Sequence, residues 1–236
     1  MKFNSFSRFL GAATLLAACG GTAPRSASAP AAPGRAAPAG HHGHHHRFDD
    51  AERWAKVFDD PARDAWQKPD HVVALLGLTA GMTVVDVGAG TGYFEQRLAR
   101  AVGPSGIVHA LDVEPDMVRH LTARMEREGV GNVRARVTKP DDPGLADGTV
   151  DRVLVVDTWH HVEDRAGYAR RLAASLRPGG EIVIVDFTQA SPHGPPVRAR
   201  LAPEEVMADL RGAGLEASER PSELPYQYVV VGARRP

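Results

Sequence analysis

Val84-Val85-Asp86-Val87-Gly88-Ala89-Gly90-Thr91-Gly92-Tyr93-Phe94 passes from a β-branched apolar run, through an acidic residue, into three glycines at alternate positions. A helical pattern then resumes. The order implies a buried strand, a tight turn and a helix start, because β-branched residues suit a pleated, buried surface. Glycine suits the turn because it tolerates backbone conformations that a Cβ resists and lets a ligand come close to the chain. A turn of this kind at the carboxyl end of a strand is where α/β sheets place a nucleotide pocket.

The spacing narrows the ligand. A dinucleotide site uses G-x-G-x-x-G, with the pyrophosphate received on backbone amides and a helix N-terminus. This chain has D-x-G-x-G-x-G, its last glycine one position early and Asp86 just before the turn. Asp86 would repel a phosphate and suits a ligand that carries positive charge. Downstream, Phe94, Leu98 and Val102 mark one face of a helix over 93–102, closed by Gly103-Pro104. Ile107 to Leu111 then reads as a strand ending at Asp112. An acidic residue about 20 positions past the glycines is placed to hold a ribose diol, since a carboxylate can accept from both hydroxyls. Glu114 is the neighbouring alternative.

The glycine segment resembles motif I of the class I S-adenosylmethionine (SAM) methyltransferases, whose ligand bears a sulfonium and an ammonium. Asp112-Val113-Glu114-Pro115-Asp116-Met117 resembles the D-x-x-P-x-M segment after their second strand. Val150 to Val156 reads as a fourth strand, apolar nearly throughout as a parallel sheet requires. Leu176-Arg177-Pro178-Gly179-Gly180 resembles the family's L-x-P-G-G turn into a fifth strand, Glu181 to Phe187. Pro203 to Gly214 resembles the penultimate helix, and Tyr226 to Val231 supplies a final strand. The resemblance covers residues 70–234 and is closest to the broad group that includes the ubiquinone and menaquinone C-methyltransferases. Taken alone, the motif has two competing readings, a NAD pocket and a glycine-rich turn with no ligand.

The resemblance implies a Rossmann-like three-layer α/β sandwich with a seven-stranded, mostly parallel sheet and an antiparallel last strand. It also implies SAM as cofactor, with Asp86, Gly88, Gly90 and Gly92 at the methionine end and Asp112 at the ribose. The family's adenine-binding acid would fall near Lys139, where this chain departs from the pattern. Asp141, in Thr138-Lys139-Pro140-Asp141-Asp142-Pro143, is the assigned adenine contact, the alternative being a solvated turn residue.

Methyl transfer from a sulfonium is an in-line displacement in which the protein positions the acceptor and, where needed, removes a proton. Acceptor contacts are expected from the loops after strands four and five and from the N-terminal segment. Asp157-Thr158-Trp159-His160-His161-Val162 offers His161 as general base with Asp157 to orient it, the alternative being loop packing. Asp157 and Asp186 also resemble the positions that hold Mg²⁺ in catechol-type O-methyltransferases. That family follows the second Asp with Asn, whereas Phe187 stands here and removes an oxygen ligand. No metal is therefore assigned to the site, and a Mg-dependent O-methyltransferase is a secondary reading. Ala51, Trp54, Ala55 and Phe58 form one helical face, read as a lid or as packing, and Trp66 leads into a second helix, Asp70 to Leu78. Tyr226 and Tyr228, at the turn into the last strand, read as structural.

The N-terminus carries a separate signal. Lys2 and Arg8 precede a short apolar run, Phe9 to Ala18, which suits a signal-peptide core and is too short to span a bilayer as a helix. Leu16-Ala17-Ala18-Cys19 resembles the lipobox of bacterial lipoproteins, and Cys19 is the only cysteine in the chain. The expected organisation is a leader over 1–19, an Ala/Pro/Gly tether with a His-rich run over 20–46, and a methyltransferase domain over 47–236. Lipidated Cys19 would be the sole membrane contact, in a bacterial envelope and facing the periplasm. The interrupted run His41-His42-Gly43-His44-His45-His46 could chelate a transition metal. A formal charge of −1 gives no reason to expect nucleic acid as a partner. The expected partner is a small-molecule methyl acceptor, and oligomeric state is left open. A reading from a different class is a non-catalytic envelope lipoprotein with a vestigial pocket.

Overall fold

The structure is a computed structural model and describes residues 50–236. Cys19, the tether and the His-rich run lie outside the described residues. The elements in chain order are α1 (Ala51–Phe58), α2 (Asp64–Gln67), α3 (Pro69–Leu75), β1 (Thr83–Val87), α4 (Glu95–Val102), β2 (Ile107–Asp112), α5 (Pro115–Arg127), β3 (Val133–Val137), β4 (Val150–Val156), α6 (Arg165–Ser175), β5 (Leu176–Phe187), α7 (Pro203–Gly212), β6 (Glu216–Glu219) and β7 (Gln227–Ala233).

The seven strands form one sheet in the order β3-β2-β1-β4-β5-β7-β6. β7 runs antiparallel to both of its neighbours, and the other pairings are parallel. Alternate residues of the central strands feed two cores. Val84, Val108, Leu154 and Val183 pack beneath α3, α4 and α5, whereas Val85, Leu111, Val153 and Ile182 pack against α6 and α7. Burial on both faces explains why these strands are apolar almost without interruption. The edges follow the opposite rule: β6 is Glu-Ala-Ser-Glu and β3 carries Arg134 and Arg136, charges that discourage a further strand.

This is the expected Rossmann-like three-layer sandwich. Chain order reverses between β1 and β4, so a crevice opens at their carboxyl ends. Several element boundaries differ from expectation, and two of them border the site or the sheet's centre. β5 begins at Leu176, and the Pro-Gly-Gly segment is an irregularity within it, with the register shifting opposite Val150 and Arg152. Gly179 absorbs the bend with φ +76° and donates its N–H to Arg234 O at 3.1 Å. α4 begins at Glu95, because Thr91 to Phe94 are still completing the glycine turn.

Candidate functional site

The glycine turn lies over the end of β2. The N–H groups of Gly88 and Ala89 both donate to Leu111 O, at 2.8 and 3.0 Å. Gly88 has φ +76°, and a Cβ there would stand 2.3 Å from Thr158 Oγ1, so both conformation and space require glycine. The same contact shows that the loop after β4 borders the turn. Gly90 N–H donates to Asp112 Oδ2 at 2.8 Å, and Glu114 N–H donates to Asp112 Oδ1 at 2.9 Å. Backbone amides thus hold both carboxylate oxygens. Burial raises the Asp112 pKa, and those amide bonds oppose the rise.

Asp86 is buried at the end of β1, beneath the turn, together with Glu95, the first residue of α4. Burial lifts the Asp86 carboxyl to about 7. Burial and the neighbouring Asp86 charge push Glu95 well above the usual carboxylate range. Neither Glu95 oxygen has a hydrogen-bond partner of standard geometry, and Oε2 lies 3.6 Å from where a Gly92 Cβ would be. The contact between the two carboxyls lowers Asp86 and raises Glu95, offsetting part of the cost of burial, and two acids enclosed in this way form a site that gains from a cationic ligand.

The N-terminal segment is tied across this turn. Thr91 Oγ1 donates to Asp59 Oδ1 at 3.0 Å, and Arg124 Nη1 joins the same oxygen at 3.0 Å. Tyr93 OH donates to Asp64, and the Arg63 guanidinium lies 4.2 Å from the centre of the Tyr93 ring. Arg63 also donates to Phe58 O at 3.0 Å and to Gln67 Oε1, and its Nη2 lies 3.5 Å from Asp157 Oδ2.

Beyond β4, Asp157 adopts the left-handed conformation, φ +54°. Burial raises its carboxyl to about 7, with Arg63 pulling down and the Asp186 charge pushing up. Its Oδ1 accepts from Gln227 Nε2 at 2.5 Å, and Gln227 Oε1 accepts from Gln67 Nε2 at 2.8 Å. The buried imidazole–carboxylate pair is His160 with Asp186, Nδ1 lying 2.9 and 3.0 Å from the two oxygens. Trp66 stacks on His193 at 4.5 Å and lies 6.1 Å from Phe187, and Tyr226 meets His193 edge-on at 5.3 Å. Arg200 fixes the loop that carries His193 by donating to the carbonyls of Thr188, Gln189, Ser191, His193 and Pro195.

The structure therefore brings Asp86, Gly88, Gly90, Gly92 and Asp112 together at one turn, with Asp157 across the crevice. Asp141 is exposed in the turn between β3 and β4, beside a bridge that pairs Lys139 with Asp142. His161 is exposed. Asp157 is engaged by Gln227 and Arg63, so the oriented imidazole is His160, held by Asp186, rather than His161 held by Asp157. The oxygens of Asp157 and Asp186 are taken up by these side chains and by Phe187 N–H, and among the described residues no group of three or more His, Cys, Asp or Glu is placed to hold a metal. Arg63, Gln67, Glu95, Arg200 and Gln227 escaped the sequence reading. The i, i+4 spacing of Arg63 and Gln67 was a usable signal, whereas the meeting of Gln67 with Gln227 had none.

Residues 84–180 match the family model of a methyltransferase domain. The chain is 28% identical over 127 residues to a ubiquinone/menaquinone biosynthesis C-methyltransferase of Hydrogenovibrio crunogenus, covering 53% of this chain and 49% of that one. It is 34% identical over 114 residues to a demethylmenaquinone methyltransferase of Tropheryma whipplei, covering 48% of this chain and 45% of that one. The chain thus spans about half the length of the curated relatives it matches. A SAM-dependent methyltransferase structure from Aquifex aeolicus superposes with a TM-score of 0.72 at 29% identity, covering 78% of this chain and 98% of that one.

Proposed function

We propose that this chain, which carries a class I SAM-dependent methyltransferase domain, methylates a small planar acceptor seated at the carboxyl ends of β4 and β5. SAM, when bound, supplies a methyl group already activated on a sulfonium. In this reading Asp86, Gly88, Gly90 and Gly92 receive the methionine end and Asp112 the ribose. The observation that carries the reading is the pairing of an amide-held carboxylate, Asp112, with the buried acid Asp86 across one glycine turn. A diol fits the position at Asp112 and a cation the position at Asp86.

The acceptor side supports a flat molecule. Trp66, Phe187, His193 and Tyr226 supply ring faces and edges, and the Arg200 staple keeps their loop in place. Asp141 is proposed at the adenine edge, since Thr138 N–H joins Asp112 O at 2.8 Å and so brings the start of that turn beside the ribose position. Calorimetric titration of SAM into the full chain in detergent tests the reading. Micromolar binding that weakens at least about 100-fold in Asp112→Ala supports it, as loss of a double hydrogen bond to a charged group requires. A folded wild-type chain that does not bind SAM would favour the non-catalytic lipoprotein.

The leader supports a second part of the proposal, that the domain is carried on a lipidated Cys19 in a bacterial envelope, facing the periplasm. The support is the sequence alone, the short apolar core followed by Leu16-Ala17-Ala18-Cys19. Among the described residues no helix is long and apolar enough to cross a membrane. Cys19→Ala should shift the protein from the membrane to the soluble fraction, and an unchanged distribution would remove the anchor from the proposal.

A further inference from the structure

The loop after β4 carries two adjacent histidines, and the structure gives them different surroundings. The His160 side chain is 4% exposed, and its Nδ1 is bound by both oxygens of Asp186, itself 2% exposed. Asp186 also accepts from the N–H of Phe187, so its position is set twice. An imidazole whose Nδ1–H points at a fixed carboxylate presents Nε2 as its basic nitrogen. Thr158, two residues earlier, touches the space above Gly88, so this loop borders the turn that receives the methyl donor. The His160 ring lies 6.4 Å from Phe187, which is 6.1 Å from Trp66, and the aromatic rim therefore continues up to the imidazole.

We propose that His160, oriented by Asp186, is the catalytic base for a hydroxyaromatic acceptor, its Nε2 taking the hydroxyl proton while the aromatic ring rests against Phe187 and Trp66. The inference rests on the methyltransferase reading above. The acceptor's O–H bond breaks, its electron pair stays on oxygen, and the proton passes to Nε2. The anion forms the new bond to the methyl carbon, through its oxygen or the ring carbon conjugated with it, as the carbon–sulfur bond breaks and the sulfur keeps that electron pair. After bonding at carbon, the ring C–H proton is lost and the oxygen regains one, so the proton count is the same. His160 then returns its proton to water, so one proton leaves for each methyl gained. Asp186 is a positioning residue that acts through His160.

Anaerobic turnover of 1,4-dihydroxynaphthalene by the full chain, read as S-adenosylhomocysteine formed, tests this beside SAM calorimetry. His160→Gln should lower kcat by at least about 100-fold while SAM affinity stays within about twofold, the range expected for loss of a general base. Asp186→Asn should lower kcat by about tenfold or more while the acceptor KM and SAM affinity stay within about twofold, because an imidazole that is no longer held loses its aim and not the binding of either substrate. His161→Gln should stay within about threefold of wild type. The inference falls if the SAM-binding wild type does not turn over the probe, if His160→Gln keeps kcat within about threefold, or if His161→Gln is equally damaging. Should His160→Gln fail to bind SAM, and so report a folding defect, Asp186→Asn decides: a kcat within about threefold of wild type overturns the base. A wild-type chain that does not bind SAM instead sinks the underlying reading.

Discussion

The two sides of the crevice are built in different ways. The cofactor side is local: β1, the glycine turn, α4 and β2 are contiguous, and the bond from Gly90 N–H to Asp112 spans only 22 positions. The acceptor side is assembled from afar. Gln67 meets Gln227 across 160 positions, and Gln227 meets Asp157 across 70. A ligand read by backbone amides and one turn needs a short motif, whereas a particular acceptor needs side chains from several loops positioned by a rigid sheet. The contrast predicts that mutations on the first side abolish SAM binding and that those on the second spare it.

The largest effect should come from Gly88→Ala. A left-handed conformation costs a non-glycine residue about 1–2 kcal/mol, and the new Cβ would stand 2.3 Å from Thr158 Oγ1. SAM affinity should fall at least about 100-fold, as the turn must move away from its ligand. Adding Thr158→Gly should remove the clash and leave the conformational strain, so recovery should be partial. Full recovery would show that space alone dictates the glycine, and unimpaired binding by Gly88→Ala itself would place the methionine end elsewhere.

A smaller and differently shaped effect is expected from Arg200→Ala. Its guanidinium satisfies five backbone carbonyls of the 188–200 segment. Their loss should loosen His193 against Trp66 and raise the acceptor KM by about tenfold or more, while SAM affinity stays within about twofold, as expected of a loop that only positions. Faster amide exchange over residues 188–199 would accompany it. An equal loss of SAM affinity would break the separation of the two sides.

The same contrast decides what could be read from the sequence. The strand–glycine–helix unit and the acid at the end of β2 were legible, because each rests on a short local pattern, whereas the seven-stranded, mostly parallel sheet followed only from the family resemblance and its strand order from the structure. Asp157, His160 and His161 could be placed at the site, but the sequence paired His161 with Asp157, whereas the structure pairs His160 with Asp186. Their sequence order gives no sign that Asp157 turns toward Gln227 while Asp186, a strand away, takes His160. Arg63 and Arg200 looked like ordinary surface cations, and tertiary packing alone reveals that one faces Asp157 and the other caps a loop. Glu95 was hidden differently: a carboxylate in the first turn of a helix is favourable on the surface, so nothing local marked this one as buried.

The smallest predicted effect concerns pH and belongs to the cofactor side. Asp86 has a folded pKa of about 7 against an ordinary 3.8, chiefly through burial. Between those values the folded chain holds a proton that the unfolded chain has released, so stability should fall as pH rises through the window, by at most about 1.4 kcal/mol per pH unit for this one group. Contact with the Glu95 carboxyl holds Asp86 down in part, Asp112 adds repulsion, and Arg63 offsets part of that. A cationic ligand favours ionised Asp86, and SAM affinity should therefore rise by up to about tenfold from pH 6 to 8 and then level off. Calorimetry in buffers of differing ionisation enthalpy should count proton release at the acid end and none at the alkaline end. Asp86→Asn should flatten both the stability and the affinity curves while weakening SAM. Affinity that is constant with pH in the wild type would mean that Asp86 faces the fold rather than the cofactor, leaving Asp112 and the backbone amides to hold SAM on their own.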